Sequence, residues 1–212
     1  MNADAHGREG GQVTGAIIAG GASSRFGSPK ALAEVGGVRI VDRVARALRD
    51  AVDEIIAIIN DEQLALEVGL PHRPDVLQGA GALAGVHAAL VWAQERCSHG
   101  VVAAGCDMPF VSSALLIELL AHAPEHDIVL PASPGPRGVE PLCAFYSTSC
   151  IAPIEASIAR GDARMIGFHS HVRVHTLPPD AVREFGDPAI LFMNLNTEQD
   201  RVQAELLVRE MS

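Results

Sequence analysis

Apolar and polar positions along the chain change period repeatedly, from short apolar runs to segments with a repeat of three to four residues. Runs with the length and composition of strands occupy 13–20, 54–60, 100–107, 127–133, 140–147 and 172–178. Segments with helical spacing occupy 40–51, 61–68, 83–97, 113–123, 149–160 and 197–210. In the first of these helices, Val41, Val44, Ala45 and Leu48 share one face, opposite arginines and aspartates. The pattern therefore predicts a chain in which strands and helices alternate.

This alternation predicts an α/β fold, in which helices cover both faces of a mostly parallel sheet. The run 54–60 is apolar on both faces, as expected for a central parallel strand. We expect a flexible polar tail over 1–12 and a single three-layer domain over 13–212. Ligands of such sheets bind beyond the carboxyl ends of the strands. The candidate ligand loops are therefore 19–30, 75–85 and 106–109.

Composition excludes several classes of partner. The 212 residues include 16 basic and 26 acidic side chains, a net charge of −10. This charge argues against binding to nucleic acids or to anionic membranes, and no apolar run reaches the roughly 18 residues of a membrane span. Cys97, Cys106, Cys143 and Cys150 lack the spacing of a zinc site or a disulfide framework. We interpret them as reduced thiols of a cytoplasmic protein.

The first candidate loop lies within IIAGGASSRFGSPK, residues 17–30. Gly20 and Gly21 allow backbone N–H groups to approach an anion closely, because no Cβ intervenes. Arg25 and Lys30 add charged donors that suit phosphate oxygens. An ordinary turn with two surface cations explains the same residues equally well. The spacing does not match the GxxxxGK[ST] phosphate loop.

The second candidate is GCDMPF, in which Asp107 directly follows an apolar strand. A carboxylate at this place is costly unless it caps a turn or binds a cation. Asp107 is therefore a candidate magnesium ligand. A cap for the loop before Ser112 is the more common role for such a residue.

The third candidate is PDVLQGAGALAG, a glycine-rich entry to the helix predicted over 83–97. Gly79, Gly81 and Ala84 match GxGxxA, which raises the alternative of a dinucleotide site. That motif belongs after the first strand of a βαβ unit, where this chain has a different loop. A loop whose glycines let a planar base lie against the backbone fits better, and a plain helix entry remains an alternative.

The fourth candidate is FMNLNTEQD, in which Asn194 and Asn196 are two residues apart. In an extended segment their amides point the same way, which suits a polar substrate or the outer shell of a metal. Turn chemistry before a helix explains them as well. Thr197 and Asp200 have the spacing of a capping box at the start of the last helix.

The order of these motifs, with EPLCAFY between the third and the fourth, resembles that of the molybdenum cofactor guanylyltransferases. The resemblance extends from Val13 to about Arg209. The first motif of that family, LAGGxxxRMGxxK, is matched except at Ile18 and Phe26. The resemblance implies a Rossmann-like nucleotidyltransferase fold. It also implies an enzyme that uses Mg²⁺ to transfer GMP from GTP to the terminal phosphate of molybdopterin carrying molybdenum, with release of pyrophosphate.

The resemblance also implies roles for particular residues. The implied nucleotide-binding residues are Ile18, Ala19, Gly20, Gly21, Lys30, Asn60, Asp75, Gly81 and Asp107. The implied catalytic residues are Arg25, Lys30 and Asp107, with Asp107 as the metal ligand. The implied substrate-binding residues are Asn194, Asn196 and Glu140. The small-molecule partners are then GTP and molybdopterin, and transient contacts with cofactor-delivery proteins are compatible with this role.

Besides Ile18 and Phe26, two further positions depart from the family pattern. The base loop contains GALAG in place of GPLAG, and Glu140 stands where the family has the histidine of an HPL motif. A carboxylate at that position would repel a pterin phosphate.

Four alternatives stay open. A molybdenum cofactor cytidylyltransferase is the nearest, although its loop contains AAG where this chain has AGG. The others are another nucleotidyltransferase, an NAD-dependent oxidoreductase and a non-catalytic GTP-binding module.

Overall fold

The computed structural model describes residues 12–19, 30–77 and 79–211. Gly20, Gly21 and Arg25 of the first candidate loop lie outside these ranges, as does the predicted tail up to residue 11. The roles expected of these residues stay predictions. The division into a tail and one domain also stays a prediction.

The described residues form nine strands and eight α-helices. The strands are β1 (Val13–Ile18), β2 (Glu34–Val35), β3 (Val38–Arg39), β4 (Glu54–Ile58), β5 (His72–Arg73), β6 (Gly100–Gly105), β7 (Ile128–Pro131), β8 (Cys143–Ser147) and β9 (Val174–Leu177). The helices are α1 (Ile40–Ala51), α2 (Glu62–Val68), α3 (Gly81–Glu95), α4 (Ser113–Ala121), α5 (Ile151–Ala159), α6 (Pro179–Arg183), α7 (Pro188–Leu191) and α8 (Glu198–Met211). None of the helices in these ranges has the length and apolar character needed to cross a membrane.

Seven strands form one sheet in the order β5-β4-β1-β6-β8-β7-β9, while β2 and β3 form a separate hairpin. The strands β5, β4, β1 and β6 pair in parallel, and so do β7 and β9. Strand β8 runs antiparallel to both of its neighbours, β6 and β7. The α/β fold with a mostly parallel sheet is therefore confirmed, with one reversed strand that the sequence pattern did not indicate.

The reversed direction of β8 decides which residues lie at the ligand-binding edge. Because β8 runs against β6, its first residue, Cys143, pairs with Ala104 near the carboxyl end of β6. The Gly105 N–H also donates to the Leu142 carbonyl at 2.9 Å. The segment just before β8, which contains Glu140, thus lies at the same edge as the loop after β6.

Both faces of the sheet are covered by helices, as expected. Helices α1, α2 and α4 contribute buried side chains to one apolar cluster, and α3 and α5 contribute to another. Adjacent residues of β1 point to opposite clusters, with Ile17 in the first and Ala16 and Ile18 in the second. The α1 face predicted from the sequence is almost completely buried. Side chains of β1 alternate between the two faces of the sheet, and helices cover both faces. For this reason β1 is apolar throughout.

Several short elements escaped the sequence pattern, namely β2, β3, β5, α6 and α7. Strands of two residues and helices of four or five are too short to establish a hydrophobic period. The predicted strand over 140–147 is shorter in the structure, where β8 begins at Cys143.

One carboxylate, that of Asp127, connects the segments at the start of strands β7 and β9. Asp127, just before β7, accepts hydrogen bonds from the Arg173 backbone N–H at 2.9 Å and from its guanidinium at 3.0 and 3.1 Å. The Ser149 hydroxyl donates to the same carboxylate at 2.9 Å. These bonds, above all those from the Arg173 side chain, lower the pKa of Asp127 to about 2.

We expect Asp127→Ala to lower the free energy of unfolding by about 1.5–3 kcal/mol at pH 7, the range for a charged hydrogen-bonded group. Because the folded-state pKa is depressed, this stabilisation is fully present above the unfolded pKa of about 3.9 and is lost as the pH falls toward 2. Urea denaturation at pH 7 and pH 3 measures the effect, which should be smaller at pH 3. The exposed pair of Asp180 and Arg183 provides a control, since Asp180→Ala should change stability by no more than about 0.5 kcal/mol. Equal losses in the two variants would contradict this account.

Candidate active site

Three distant segments meet beyond the carboxyl end of β6. The Lys30 ammonium donates to Asn196 Oδ1 at 2.7 Å, although 166 positions separate them. The Leu195 N–H donates to the Asp107 carbonyl at 3.0 Å. The first, second and fourth candidate segments of the sequence are thereby brought together at one edge of the sheet.

Asp107 presents a half-buried carboxylate close to a cation. A Cβ at Gly105 would lie 2.9 Å from Asp107 Oδ1, so the missing side chain makes room for the carboxylate at the end of β6. Burial raises the pKa of Asp107, while its own backbone N–H and the Lys30 ammonium act in the opposite direction. Burial also raises the pKa of the neighbouring Cys106 thiol to about 12, which keeps this thiol protonated near neutral pH. Asp107 is therefore the better metal ligand of the two residues.

This arrangement suits a metal that shares its coordination with a substrate. Among the described residues, no three or more His, Cys, Asp or Glu side chains form a group able to hold a metal ion. Mg²⁺ is commonly held by one or two carboxylates together with substrate phosphates, and it does not require a complete protein cage. The Asp107 carboxylate fits this kind of site.

Lys30 is the only lysine among the 212 residues, since the other 15 basic residues are arginines. It opens a short 3-10 turn, Lys30–Leu32, at the far end of the first candidate loop. An ammonium group has three donors, and one of them is directed to Asn196. No other described residue accepts a hydrogen bond from Lys30, so its two remaining donors can face an anion at this edge.

The segment around Asn194 and Asn196 is held at the start of α8. The N–H groups of Asn196 and Thr197 donate to Asp200 Oδ2 at 2.8 and 2.7 Å, and the Asp200 N–H donates to Thr197 Oγ1 at 3.1 Å. The capping box predicted from the sequence is thereby confirmed. It orients the loop that carries the asparagines, because the reciprocal bonds fix the entry of the chain into the helix.

Asn60 and Asp75 form a second group at the same edge of the sheet, after β4 and β5. Asn60 Nδ2 donates to Asp75 Oδ2, and the Asp75 N–H donates to Asn60 Oδ1, both at 2.8 Å. The glycine-rich segment that follows has positive φ angles at Gly79 (80°) and Gly81 (55°), which favour glycine. The paired side chains thus brace the start of the loop that leads into α3.

For GTP, the nucleotide that the sequence resemblance implies, we expect Asn60→Ala to weaken binding about fivefold, because the lost hydrogen bonds to Asp75 stabilise the loop by roughly 1 kcal/mol. Titration calorimetry measures this effect. Asp61→Ala is a neighbouring control, because Asp61 Oδ1 accepts from the Leu64 N–H at 3.0 Å and caps α2. That variant should lose about 0.5–2 kcal/mol of stability and retain its GTP affinity. Unchanged affinity in Asn60→Ala would contradict a nucleotide-binding role for this pair.

Two residues expected at the nucleotide have backbone groups that the sheet already uses. The Ala19 N–H donates to the Ile58 carbonyl, and the Ile18 carbonyl accepts from the Cys106 N–H, both at 3.1 Å. The side chain of Ile18 is buried. The Ala19 N–H and the Ile18 carbonyl are therefore not free to contact a nucleotide. The phosphate contacts expected of Gly20 and Gly21 concern residues outside the described ranges and stay predictions.

Glu140 and Asn194 line a cavity of about 200 Å³ between the loop 133–140 and the segment 188–194, which begins with α7. Glu140 Oε1 accepts from the Leu142 N–H at 3.1 Å. Burial raises the pKa of Glu140, and the nearby Asp107 carboxylate acts in the same direction, whereas Arg137 lowers it. Arg137 and the cavity could not be predicted from the sequence, because no local pattern relates two segments about 50 positions apart.

Comparisons with known proteins agree with this fold and edge. Residues 15–174 match the sequence profile of the MobA-like NTP transferase domain. A relative from Pelotomaculum thermopropionicum named "Probable molybdenum cofactor guanylyltransferase" is 36% identical over 92% of this chain and 93% of its own length.

Solved structures show the same fold. The crystal structure of molybdopterin-guanine dinucleotide biosynthesis protein A from Archaeoglobus fulgidus has a TM-score of 0.76 and 26% identity, and it covers 94% of this chain and 100% of its own. The structure of Rv0371c from Mycobacterium tuberculosis in complex with manganese has a TM-score of 0.64 at 17% identity, and it covers 92% of this chain and 98% of its own.

Proposed function

The chain belongs to the MobA-like NTP transferase family, and from this we propose that it is a molybdenum cofactor guanylyltransferase. It transfers GMP from GTP to the terminal phosphate of molybdopterin carrying molybdenum. The name of the Pelotomaculum relative, which spans nearly the whole chain, supports this activity. The geometric observation that carries it is the contact of Lys30 with Asn196 beside Asp107, because it joins an ammonium, an amide and a carboxylate at the ligand-binding edge.

In this reaction the protein positions the two substrates and stabilises negative charge, and it does not need to form a covalent bond to either of them. An oxygen of the terminal molybdopterin phosphate forms a bond to the α-phosphorus of GTP. The bond from that phosphorus to the oxygen bridging to the β-phosphate breaks, and pyrophosphate leaves in line. Negative charge develops on the leaving pyrophosphate, and the Lys30 ammonium neutralises this charge. The hydrogen bond to Asn196 holds the ammonium in place.

We propose Mg²⁺ as the metal and Asp107 as the residue that holds it. When bound, the ion neutralises charge on the phosphate oxygens. The manganese in the Rv0371c complex supports a divalent cation at this fold. The desolvated Asp107 carboxylate attracts such a cation more strongly than an exposed carboxylate does, because solvent screens it less.

The two substrates approach from opposite ends of this edge. The loop braced by Asn60 and Asp75 receives the guanine, next to β4 and β5. The cavity at Glu140 and Asn194, next to β8, lies on the side of the pterin substrate. Lys30 and Asp107 lie between the two, where the phosphates have to meet.

Pyrophosphate release from GTP, CTP or ATP, each with and without molybdenum-loaded molybdopterin, tests the proposal. We expect release only with both substrates, at least about tenfold faster with GTP than with CTP, and none after EDTA treatment. Each unmet polar group of a wrong base costs about 1–3 kcal/mol, which accounts for that preference. Equal rates with CTP would favour a cytidylyltransferase, and GTP binding without release would favour a non-catalytic module.

We also propose that the reaction takes place in the cytoplasm. All four cysteines are free in the structure, which suits a reducing compartment. Contacts with proteins that deliver or receive the cofactor remain part of the proposal.

A further inference from the structure

The cavity between the loop 133–140 and the segment 188–194 is called the Glu140 cavity below, and its largely apolar lining with one partly buried carboxylate does not suit a phosphate. We propose that Glu140 binds the 2-amino-4-oxopyrimidine edge of the substrate's pterin ring, and so selects the ring instead of the phosphate. The inference rests on the proposed function and assigns a specificity role to a residue that departs from the family pattern.

The size and lining of the cavity suit a single ring system. Its volume of about 200 Å³ is below the range of about 300–1,000 Å³ that is typical of pockets for drug-sized ligands, so it accepts one ring system. Apolar side chains supply much of its lining, namely Pro134, Pro136, Val139, Pro188 and Phe192. Prolines hold their backbone stiffly, which keeps the cavity formed without a ligand.

Glu140 offers the polar group that orients such a ring. Its Oε1 accepts from the Leu142 N–H at 3.1 Å, which fixes the carboxylate. Its Oε2 has no hydrogen-bond partner among the described residues. A carboxylate can accept two parallel N–H bonds, as it does from arginine. The 2-amino group and the adjacent ring N–H of a pterin present the same pair of donors.

The negative charge of Glu140 favours the neutral pterin ring over the phosphate as the group bound there. The carboxylates of Glu140 and Asp107 are close enough for Asp107 to raise the pKa of Glu140. A phosphate at Glu140 would be repelled by that carboxylate, whereas a neutral ring with two N–H donors supplies hydrogen bonds that a partly buried carboxylate needs. Arg137 favours the ionised form of Glu140 and is the one cation among the residues that line the cavity. The substrate phosphate is then directed toward Lys30.

Guanine carries the same donor pair as a pterin, so the chemistry alone admits either ring. Their places in the fold differ. The glycine-rich loop braced by Asn60 and Asp75 follows β4 and β5, whereas the Glu140 cavity is beside β8, and β1 and β6 separate the two. We therefore assign the Glu140 cavity to the pterin.

The test compares pterin with lumazine, which has a 2-oxo group in place of the 2-amino group. Binding of both rings and of GTP is measured by ligand-observed NMR competition on the wild-type protein, on Glu140→Gln and on Glu210→Gln. The last variant is the control, because Glu210 is exposed near the end of α8. We expect the wild type and the control to bind pterin at least about tenfold more tightly than lumazine. The 2-oxo group of lumazine and the Glu140 carboxylate are both acceptors, so neither would have a hydrogen-bond donor. Glu140→Gln should lose this preference and keep its GTP affinity.

Steady-state kinetics give the second measurement. In Glu140→Gln the KM for molybdopterin should rise about tenfold or more while kcat changes little, because the carboxylate binds the ring away from the reacting phosphate. A pterin preference that persists in Glu140→Gln would overturn the inference. A variant that instead loses GTP affinity would assign the cavity to guanine and overturn it too.

The two proposals fail separately. If the wild type releases pyrophosphate from GTP and molybdopterin but Glu140→Gln has an unchanged KM, the subsite is wrong and the activity stands. If the wild type prefers pterin over lumazine but releases no pyrophosphate, the activity is wrong and the subsite stands. The wild-type preference for pterin over lumazine should also persist with saturating GTP, which occupies the loop braced by Asn60 and Asp75. This competition needs no variant, so an unfolded Glu140→Gln protein would not remove the test, and displacement of pterin by GTP would overturn the inference.

Discussion

Asp107→Asn is expected to reduce the rate of pyrophosphate release at least about 100-fold at saturating Mg²⁺, GTP and molybdopterin. The amide keeps the shape of the side chain but loses the charge that holds the metal, and loss of a charge-stabilising group of this kind commonly costs a factor of about 100 to 1,000 in turnover. The single-turnover rate measures the effect. Asp53→Asn, which changes an exposed aspartate outside the site, is the matched control and should retain the wild-type rate. Near-normal turnover in Asp107→Asn would remove Asp107 from the mechanism.

The same substitution has an expected effect of opposite sign on stability. Because burial raises the folded-state pKa of Asp107, the carboxylate destabilises the fold at pH values above that pKa. The penalty is relieved as the pH falls through the raised pKa, because the folded state then binds the proton more tightly than the unfolded state does. Asp107→Asn should therefore be at least as stable as the wild type at pH 7 without metal, and its advantage should shrink in acid. A clear loss of stability at pH 7 would indicate a structural role.

Lys30→Gln should weaken GTP binding by about 10- to 100-fold, since a hydrogen bond to a charged group contributes about 1.5–3 kcal/mol. The glutamine removes the positive charge and keeps an N–H donor on a side chain one bond shorter than that of lysine. Titration calorimetry in low and moderate salt measures the change, and the difference between wild type and variant should shrink as salt screens the charge.

Arg46→Gln provides the control for Lys30→Gln, because it removes one positive charge from an exposed position on α1. Its GTP affinity should stay within about twofold of the wild type. The single lysine of the sequence permits a direct check. After reductive methylation with ¹³C, the side-chain signal of Lys30 should shift when GTP is added. An unshifted signal, or equal losses in the two variants, would make Lys30 a surface cation.

The sequence pattern predicted the elements that local chemistry controls. Helix α1 could be predicted because its apolar residues repeat with the helical period, and β1 and β6 because apolar runs of six to eight residues bury both faces of a strand. The capping box of Thr197 and Asp200 is a signal within four residues. Candidate ligand loops followed from the same pattern, since strand ends in a parallel sheet share one edge.

The site required information that no local window contains. The contact between Lys30 and Asn196 depends on where the last helix returns to the sheet, and the Glu140 cavity depends on β8 running against its neighbours. If β8 ran parallel to β6, the segment before it, which contains Glu140, would lie at the amino end of β6, far from Asp107.

The amino-acid sequence by itself thus determined the α/β class, the order of most elements and the residue types available for phosphate and metal chemistry. The reason is that backbone dihedral preferences and burial produce short periodic patterns of apolar and polar residues. Only the tertiary structure decided which of those residues meet, which backbone groups the sheet already uses at Ile18 and Ala19, and that Glu140 and Arg137 share a cavity with Asn194. The physical reason is that strand order, strand direction and loop packing are set by contacts between distant segments, whose free energies depend on the whole fold and not on neighbours in the chain.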